Sequence, residues 1–311
     1  MDESPPLRLS KAMTWPIIAT DPTLSRTDGW ADYALIDSGA GRKLERYGRL
    51  RVVRPEPQCL WAVRFPAEQW DDADAVFDPA GADEESGRWR YSRQTPETFP
   101  LAWGEVKFYG RFTPFRHLGF FPEQAANWTW LAERFAASER PLKLLNLFGY
   151  SGVASLVCAA AGAEVTHVDA SKKAVGFARE NAALSGLEGA PIRWICDDAR
   201  KFAAREVRRG NLYDGIILDP PKYGRGPEGE VWKLYEDLPG LMTDCAKLLS
   251  PNASFLLLNA YAERISGLAL ASLTAEALDG RGGKVDWGEL ALMEEGGMRG
   301  AGLSFFARWT T

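Results

Sequence analysis

From residue 117 to the end, short apolar runs alternate with longer stretches of helical spacing. That alternation restricts the chain more than any other feature, because strands separated by helices pair most readily as a parallel sheet covered on both faces. The predicted strands are "LKLLNLF", "EVTHVD", "IRWICD", "YDGIILD" and "SFLLLNAY", with two late strands near Glu289–Met293 and Leu303–Trp309. The helices between them are "ANWTWLAERFAAS", "SGVASLVCAAAG", "SKKAVGFARENAALSG" ending at Gly186, "DARKFAAREVRRG", a longer one from about Val231 to Leu249 stopped by Pro251, and "ERISGLALASLTAEAL".

Before residue 117 the texture differs. The runs "YALIDSG", "RLRVVRP", "CLWAVRF", "GRWRYS" and "EVKFYGRF" are β-prone, and turn signals at Ser38-Gly39, Pro79-Ala80-Gly81 and Ser86-Gly87 divide them. The expected organisation is a proline-rich arm over residues 1–24, a small antiparallel β-domain over 25–116 and an α/β domain over 117–311. No stretch approaches the length of an apolar membrane span, and the acidic start of the chain is unlike a secretory signal. Four widely spaced cysteines and two histidines argue against a zinc site and for reduced thiols in the cytoplasm. The net charge of −5 means that any nucleic-acid surface is local.

Four segments carry chemistry. In "LLNLFGYSG" a buried strand passes through a glycine-bearing loop into a helix. Gly149 and Gly152 allow a tight turn and close approach of a ligand, and the helix start offers unpaired N–H groups. Asn146, Phe148, Tyr150 and Ser151 are the other candidates there. The spacing is not that of the dinucleotide fingerprint. Next, Asp169 ends a strand where a carboxylate can accept both ribose hydroxyls of a nucleoside, with Ala170 and Ser171 beside it; helix capping is the competing role. Third, Asp198 in "CDDARKF" can accept from an adenine amino group while the Ala199 N–H meets a ring nitrogen. Asp197 is the alternative acceptor, and capping competes again. Fourth is "YDGIILDPPKYGRG", in which Asp219 stands at a strand's carboxyl end. Pro220 and Pro221 stiffen the loop and turn its carbonyls outward, while Lys222 and Tyr223 could bind a phosphate and stack on a ring.

These four segments, in this order, resemble a class I S-adenosylmethionine-dependent methyltransferase, with its Rossmann-like sheet. The Asp-Pro-Pro-Lys form behind a β-rich segment is similar, more narrowly, to the bacterial large-subunit ribosomal RNA methyltransferases. "HLGFFPEQ", His117–Gln124, resembles that group's Thr-Gly-aromatic-Phe-x-Asp-Gln-Arg segment, which closes over the cofactor and so implies that Phe121 and Gln124 lie near S-adenosylmethionine. The likeness covers about residues 100 to 311, and "DSGAGRKLERYG" is similar to a subset of these proteins. Glu123 stands where the group usually has Asp and Ala125 where it has Arg, and the usual N-terminal PUA-type domain is missing. Members that methylate cytosine C5 need a nucleophilic cysteine. "NAYAERIS" has none where some members carry it, and the Asp-Pro-Pro loop has none either, which points to a nitrogen acceptor.

The resemblance implies S-adenosylmethionine as cofactor, ribosomal RNA as substrate and Asp219, Pro220, Pro221 and Lys222 as the catalytic loop. For RNA contact, residues 42–54 hold six Arg or Lys against one acid, and Arg42, Lys43, Arg46, Arg49 and Arg51 are the candidates. Three rivals stand beside this reading: a methyltransferase for a small molecule or protein with the β-domain as a lid, a non-catalytic binding module, and a propylamine transferase on a related fold.

Overall fold

The computed structural model describes residues 14–81, 86–261, 264–297 and 299–311. Its largest sheet runs in the order Ile192–Cys196, Glu164–Asp169, Lys143–Leu147, Gly215–Leu218, Phe255–Ala260, Gly300–Thr310 and Lys284–Met293. Gly300–Thr310 is antiparallel to both of its neighbours, and the five strands before it are parallel. The order reverses between Lys143–Leu147 and Gly215–Leu218, and open α/β sheets bind ligands at such a point, beyond the strands' carboxyl ends. Fully buried leucines explain why the central strands read as continuous apolar runs: Leu144, Leu145, Leu147, Leu218, Leu256 and Leu258 each have 0% exposure.

The first part of the chain builds a five-stranded sheet from Tyr33–Gly39, Arg42–Tyr47, Leu50–Pro55, Ala75–Pro79 and Gly87–Tyr91, and a separate pair from Thr98–Trp103 and Val106–Arg111. This part is joined closely to the larger sheet. The Lys107 and Tyr109 N–H groups donate to Ser185 Oγ and Asn181 Oδ1 at 3.0 Å each, on the helix Lys172–Leu184 and the residue that follows it. Phe99, Phe108, Phe120, Trp128 and Leu156 share one apolar cluster across the junction. Arg299 donates to the buried carboxylates of Asp37 and Glu294 at 2.8 Å each.

Several elements differ from the sequence reading. "CLWAVRF" is irregular, because Asp37 accepts the N–H groups of Arg64 and Phe65, while the Trp61 and Cys59 carbonyls accept from Ala40 and Gly41. The segment expected to open a long helix at Val231 first forms the strand Val231–Lys233, hairpinned with Tyr223–Arg225; the helix is Leu234–Leu248. Its first turn is fixed by Asp237, which accepts from the Lys233 N–H at 2.7 Å. The two late strands extend over Lys284–Met293 and Gly300–Thr310. Of the predicted arm, residues 1–13 lie outside the described residues. Ile17–Ile18 and Thr23–Thr27 add in parallel to Lys284–Met293 at the edge of the large sheet.

Candidate active site

Strand register brings the chemistry together. Leu147 pairs with Val168 on one side and Leu218 on the other, and Leu218 pairs with Leu258. The next residue of each strand is therefore Asp169, Phe148, Asp219 and Asn259, four neighbours along one carboxyl edge. They border a cleft of about 1490 Å³. That exceeds the ordinary range for one small ligand and leaves room for two reactants.

The loop Phe148–Gly152 is held in an uncommon backbone form. Phe148 and Tyr150 have φ of 59° and 46°, although neither is glycine. Each such residue costs on the order of 1–3 kcal/mol and persists only where its surroundings enforce it. Here the Gly149 N–H donates to the Val168 carbonyl at 3.0 Å, the Tyr150 N–H to Asp169 Oδ2 at 2.9 Å, and Asn181 Nδ2 to the Ser151 carbonyl at 2.8 Å. Gly149 is required by packing rather than by a ligand, since a Cβ would stand 2.4 Å from the His167 ring. Gly152 has φ of 81°, and a Cβ there would meet Ala178 at 2.8 Å, so it faces away from the cleft that Asn146, Phe148, Gly149, Tyr150 and Ser151 line. Asn146 donates to Ser155 Oγ, which meets His167 Nδ1 at 3.0 Å, so a polar chain braces the loop from behind.

Ser171, not Asp169, caps the helix Lys172–Leu184, accepting from the Ala174 N–H. Asp169 instead takes one backbone N–H on each oxygen, from Tyr150 at 2.9 Å and Ser171 at 2.8 Å. A carboxylate has about four acceptor positions, so Asp169 keeps one on each oxygen. Burial raises its pKa against the pull of those two N–H groups. Asp198 differs. It is the N-cap of Ala199–Arg209, accepting from the Arg200 and Lys201 N–H groups at 2.9 and 3.1 Å, and it pairs with the Arg200 guanidinium. Capping thus accounts for its position. Asp197 accepts from the Asp198 N–H and pairs with Arg205. Both carboxylates, with Ala170, Ser171 and Ala199, line the cleft.

Asp219 sits at the centre. Asn259 Nδ2 donates to Oδ1 at 2.7 Å and Gln124 Nε2 to Oδ2 at 3.1 Å. Gln124 is set in turn by Asn127 Nδ2 at 2.7 Å, and Asn127 Oδ1 accepts from the buried Arg308 guanidinium at 2.6 Å. Burial drives the Asp219 pKa up to about 6; the Asn259 hydrogen bond opposes this and the Glu123 charge adds to it. Phe121 lines the cleft between His117 and Tyr261, with ring centroids at 5.3 Å from each. Burial, then the charges of Arg54 and Arg116, lowers the His117 pKa to about 4, so its ring is neutral.

Two expectations are corrected. The Pro221 carbonyl does not point to an acceptor: Trp232 Nε1 donates to it at 2.7 Å, tying the loop to the following hairpin. Nor do the five basic candidates form one open face. Lys43 is 4% exposed, lines the cleft and pairs with Glu56 at 3.2 Å. Arg46 pairs with Glu295 and Arg51 with Asp72, Arg42 lies over the Trp70 ring, and Arg42 and Arg49 are exposed. Strand alternation put Lys43 on the inner face. Pro220 is buried, whereas Pro221, Lys222 and Tyr223 are exposed at the rim. Sequence reasoning missed Asn259, Tyr261, Asn127 and Arg308. A polar residue ending an otherwise apolar strand was the available signal for Asn259.

The model of a family described as conserved hypothetical protein 95 matches residues 124–238. A solved structure of an S-adenosylmethionine-dependent methyltransferase from Agrobacterium tumefaciens is 51% identical, with a TM-score of 0.92 and 96% of each chain covered. The chain belongs to the S-adenosylmethionine-dependent methyltransferases. Their cofactor is S-adenosylmethionine, and the class I sheet with an added N-terminal β-region is this methyltransferase's fold. Among curated relatives it is similar to ribosomal RNA large subunit methyltransferase K/L of Shewanella frigidimarina (strain NCIMB 400), 35% identical over 118 residues. It is also similar to ribosomal RNA large subunit methyltransferase I of Aeromonas salmonicida (strain A449), 34% identical over 106 residues. These matches take in 37% and 34% of this chain and only 16% and 26% of the relatives' lengths. Among the described residues, no helix is long and apolar enough to cross a membrane, and no group of three or more His, Cys, Asp or Glu is placed to hold a metal.

Proposed function

We propose that this methyltransferase methylates a nitrogen of a base in ribosomal RNA. The observation that carries the reading is Asp219: a half-buried carboxylate, fixed by Asn259 and Gln124, beside the loop that would hold the cofactor. The donor set fits S-adenosylmethionine. Asp169 retains acceptor positions for two ribose hydroxyls, Asp197 and Asp198 border the adenine end with the Ala199 N–H, and the strained loop from Phe148 to Ser151 presents backbone to the methionine end. Tyr150 and Phe121 add aromatic walls. When bound, S-adenosylmethionine supplies an electrophilic methyl group on sulfur.

The chain's own work is then positional and electrostatic. Asp219 accepts a hydrogen bond from the acceptor N–H and turns the nitrogen lone pair toward the methyl carbon. Accepting the methyl group that the cofactor would supply would place positive charge on that nitrogen. Asp219 stabilises that charge and takes the proton released, restoring a neutral amine. A pKa of about 6 leaves it largely ionised at neutral pH, yet basic enough for the task. Cytosine C5 chemistry is disfavoured because no cysteine lines the cleft among the described residues: Cys59, Cys158 and Cys245 are buried, and Cys196 contacts the Ala170 carbonyl from outside.

The pairing of Lys43, Arg46 and Arg51 with acids favours a second reading, a small-molecule acceptor. The deciding experiment incubates the protein with labelled S-adenosylmethionine and unmodified ribosomal RNA, with D219A as control, followed by digestion to nucleosides and mass spectrometry. A methylated nucleoside in the wild-type reaction alone is expected. No transfer by a protein that binds the cofactor refutes the RNA reading.

A further inference from the structure

Glu123 is a further carboxylate at the cleft, 3% exposed, on the turn Pro122–Gln124. A buried carboxylate is costly unless it is given partners. Its Oε1 accepts the Tyr261 hydroxyl at 2.5 Å. The two segments that contribute this pair are the same two that hold Asp219. Gln124, next in sequence to Glu123, grips one Asp219 oxygen, and Asn259, two residues before Tyr261, grips the other. Both carboxylates are thus fixed from the same pair of segments. Beside them, the Phe121 and Tyr261 rings, tilted 41° to each other with centroids 5.3 Å apart, form an angled aromatic wall.

We infer that Glu123 is the acceptor-specificity residue: oriented by Tyr261, it accepts one N–H of an exocyclic amine on a planar base while Asp219 accepts the other. This rests on the reading of a base nitrogen as acceptor and narrows it to the amino group of adenine, cytosine or guanine. An sp² amine offers two in-plane N–H donors, which two carboxylates can satisfy together, and the base ring lies along Phe121 and Tyr261. An oxo group at the same place would present lone pairs to two carboxylates, and a site built for N–H donors rejects such an analogue strongly. Tyr261 is a positioning residue, since it acts through Glu123. The Glu123 charge reaches Asp219, so the two carboxyls stand close enough to face one small group, while burial raises the Glu123 pKa and Lys43 and the Tyr261 hydroxyl oppose that.

The test needs no RNA. The protein, saturated with S-adenosylhomocysteine to fill the cofactor site, is titrated calorimetrically with adenine against hypoxanthine, cytosine against uracil and guanosine against inosine at millimolar concentration. The amino base of at least one pair is expected to bind roughly tenfold or more tightly than its oxo counterpart. E123Q should abolish that preference with unchanged affinity for S-adenosylhomocysteine, which also shows that the variant is folded. Y261F should reduce the preference, and E123D should restore part of it. Equal binding within all three pairs, no binding of any base, or an undiminished preference in E123Q would each overturn the inference. Failure of methyl transfer to ribosomal RNA bears on the proposed substrate instead and leaves this binding result standing.

Discussion

Replacing Asp219 with asparagine should make the protein inactive and, above neutral pH, relatively more stable. The wild-type carboxyl titrates at about 6 in the fold, against 3.8 without it, chiefly because of burial. A raised acid pKa means that the folded state holds its proton more tightly than the unfolded state. Stability therefore falls as pH rises from 3.8 to 6 and is level above that. The full difference corresponds to about 3 kcal/mol, and the part lying between pH 5 and pH 8 to about 1.4 kcal/mol. D219N carries no such charge. It does turn one amide N–H₂ toward Gln124 or Asn259, and that mismatch is the same at both pH values. Urea denaturation of both proteins at pH 5 and pH 8 should thus show the variant gaining about 1–1.5 kcal/mol on the wild type at the higher pH. Turnover should fall by roughly 10²–10⁴. In the wild type, kcat should fall on the acid side as Asp219 protonates. A stability difference that does not change with pH would refute the account of Asp219, even if activity were lost.

Three further outcomes follow from the same geometry. D169A should weaken S-adenosylmethionine binding about tenfold or more by calorimetry, as two charge-assisted hydrogen bonds are lost; unchanged affinity would sink the ribose assignment. G149A should destabilise the fold by about 1–3 kcal/mol and weaken cofactor binding, because the added methyl meets the His167 ring at 2.4 Å; a stable variant with normal affinity would show that the loop can shift. R54A should cost about 3–5 kcal/mol in denaturation, leaving Glu45 buried beside the Tyr33 and Tyr47 hydroxyls without its cation. Burial alone would raise Glu45, but Arg54 and Lys43 hold it down to about 2, so the pair's contribution is present above about 4.5 and is lost as pH falls toward 2; a wild type indifferent to that range would contradict the pairing.

The order of strands and helices after residue 117 was legible because buried parallel strands are almost wholly apolar, and "LLNLF" and "GIILD" admit little else. The acids that close those strands were legible for the same reason. What hid was decided by tertiary partners. Asp198 reads alike as a ligand or a cap, and Arg200 and Lys201 show it acting as a cap. "CLWAVRF" has strand composition, but Asp37, nearly thirty residues away, claims its N–H groups. Lys43 belongs to a basic run, yet strand parity turns it inward to Glu56. Tyr261 and Arg308 matter only through residues far off in sequence, Glu123 and Asn127.

The parallel strands Ile17–Ile18 and Thr23–Thr27 also set a timetable. Their partners are residues 284–292, near the other end of the chain. As the protein emerges from the ribosome, these earlier strands must wait unpaired while more than two hundred residues follow, since closing so long a loop comes late and slows folding. Until then the strand Lys284–Met293 is also without its edge partners, so chaperone contact with the nascent chain should concentrate on these two distant segments.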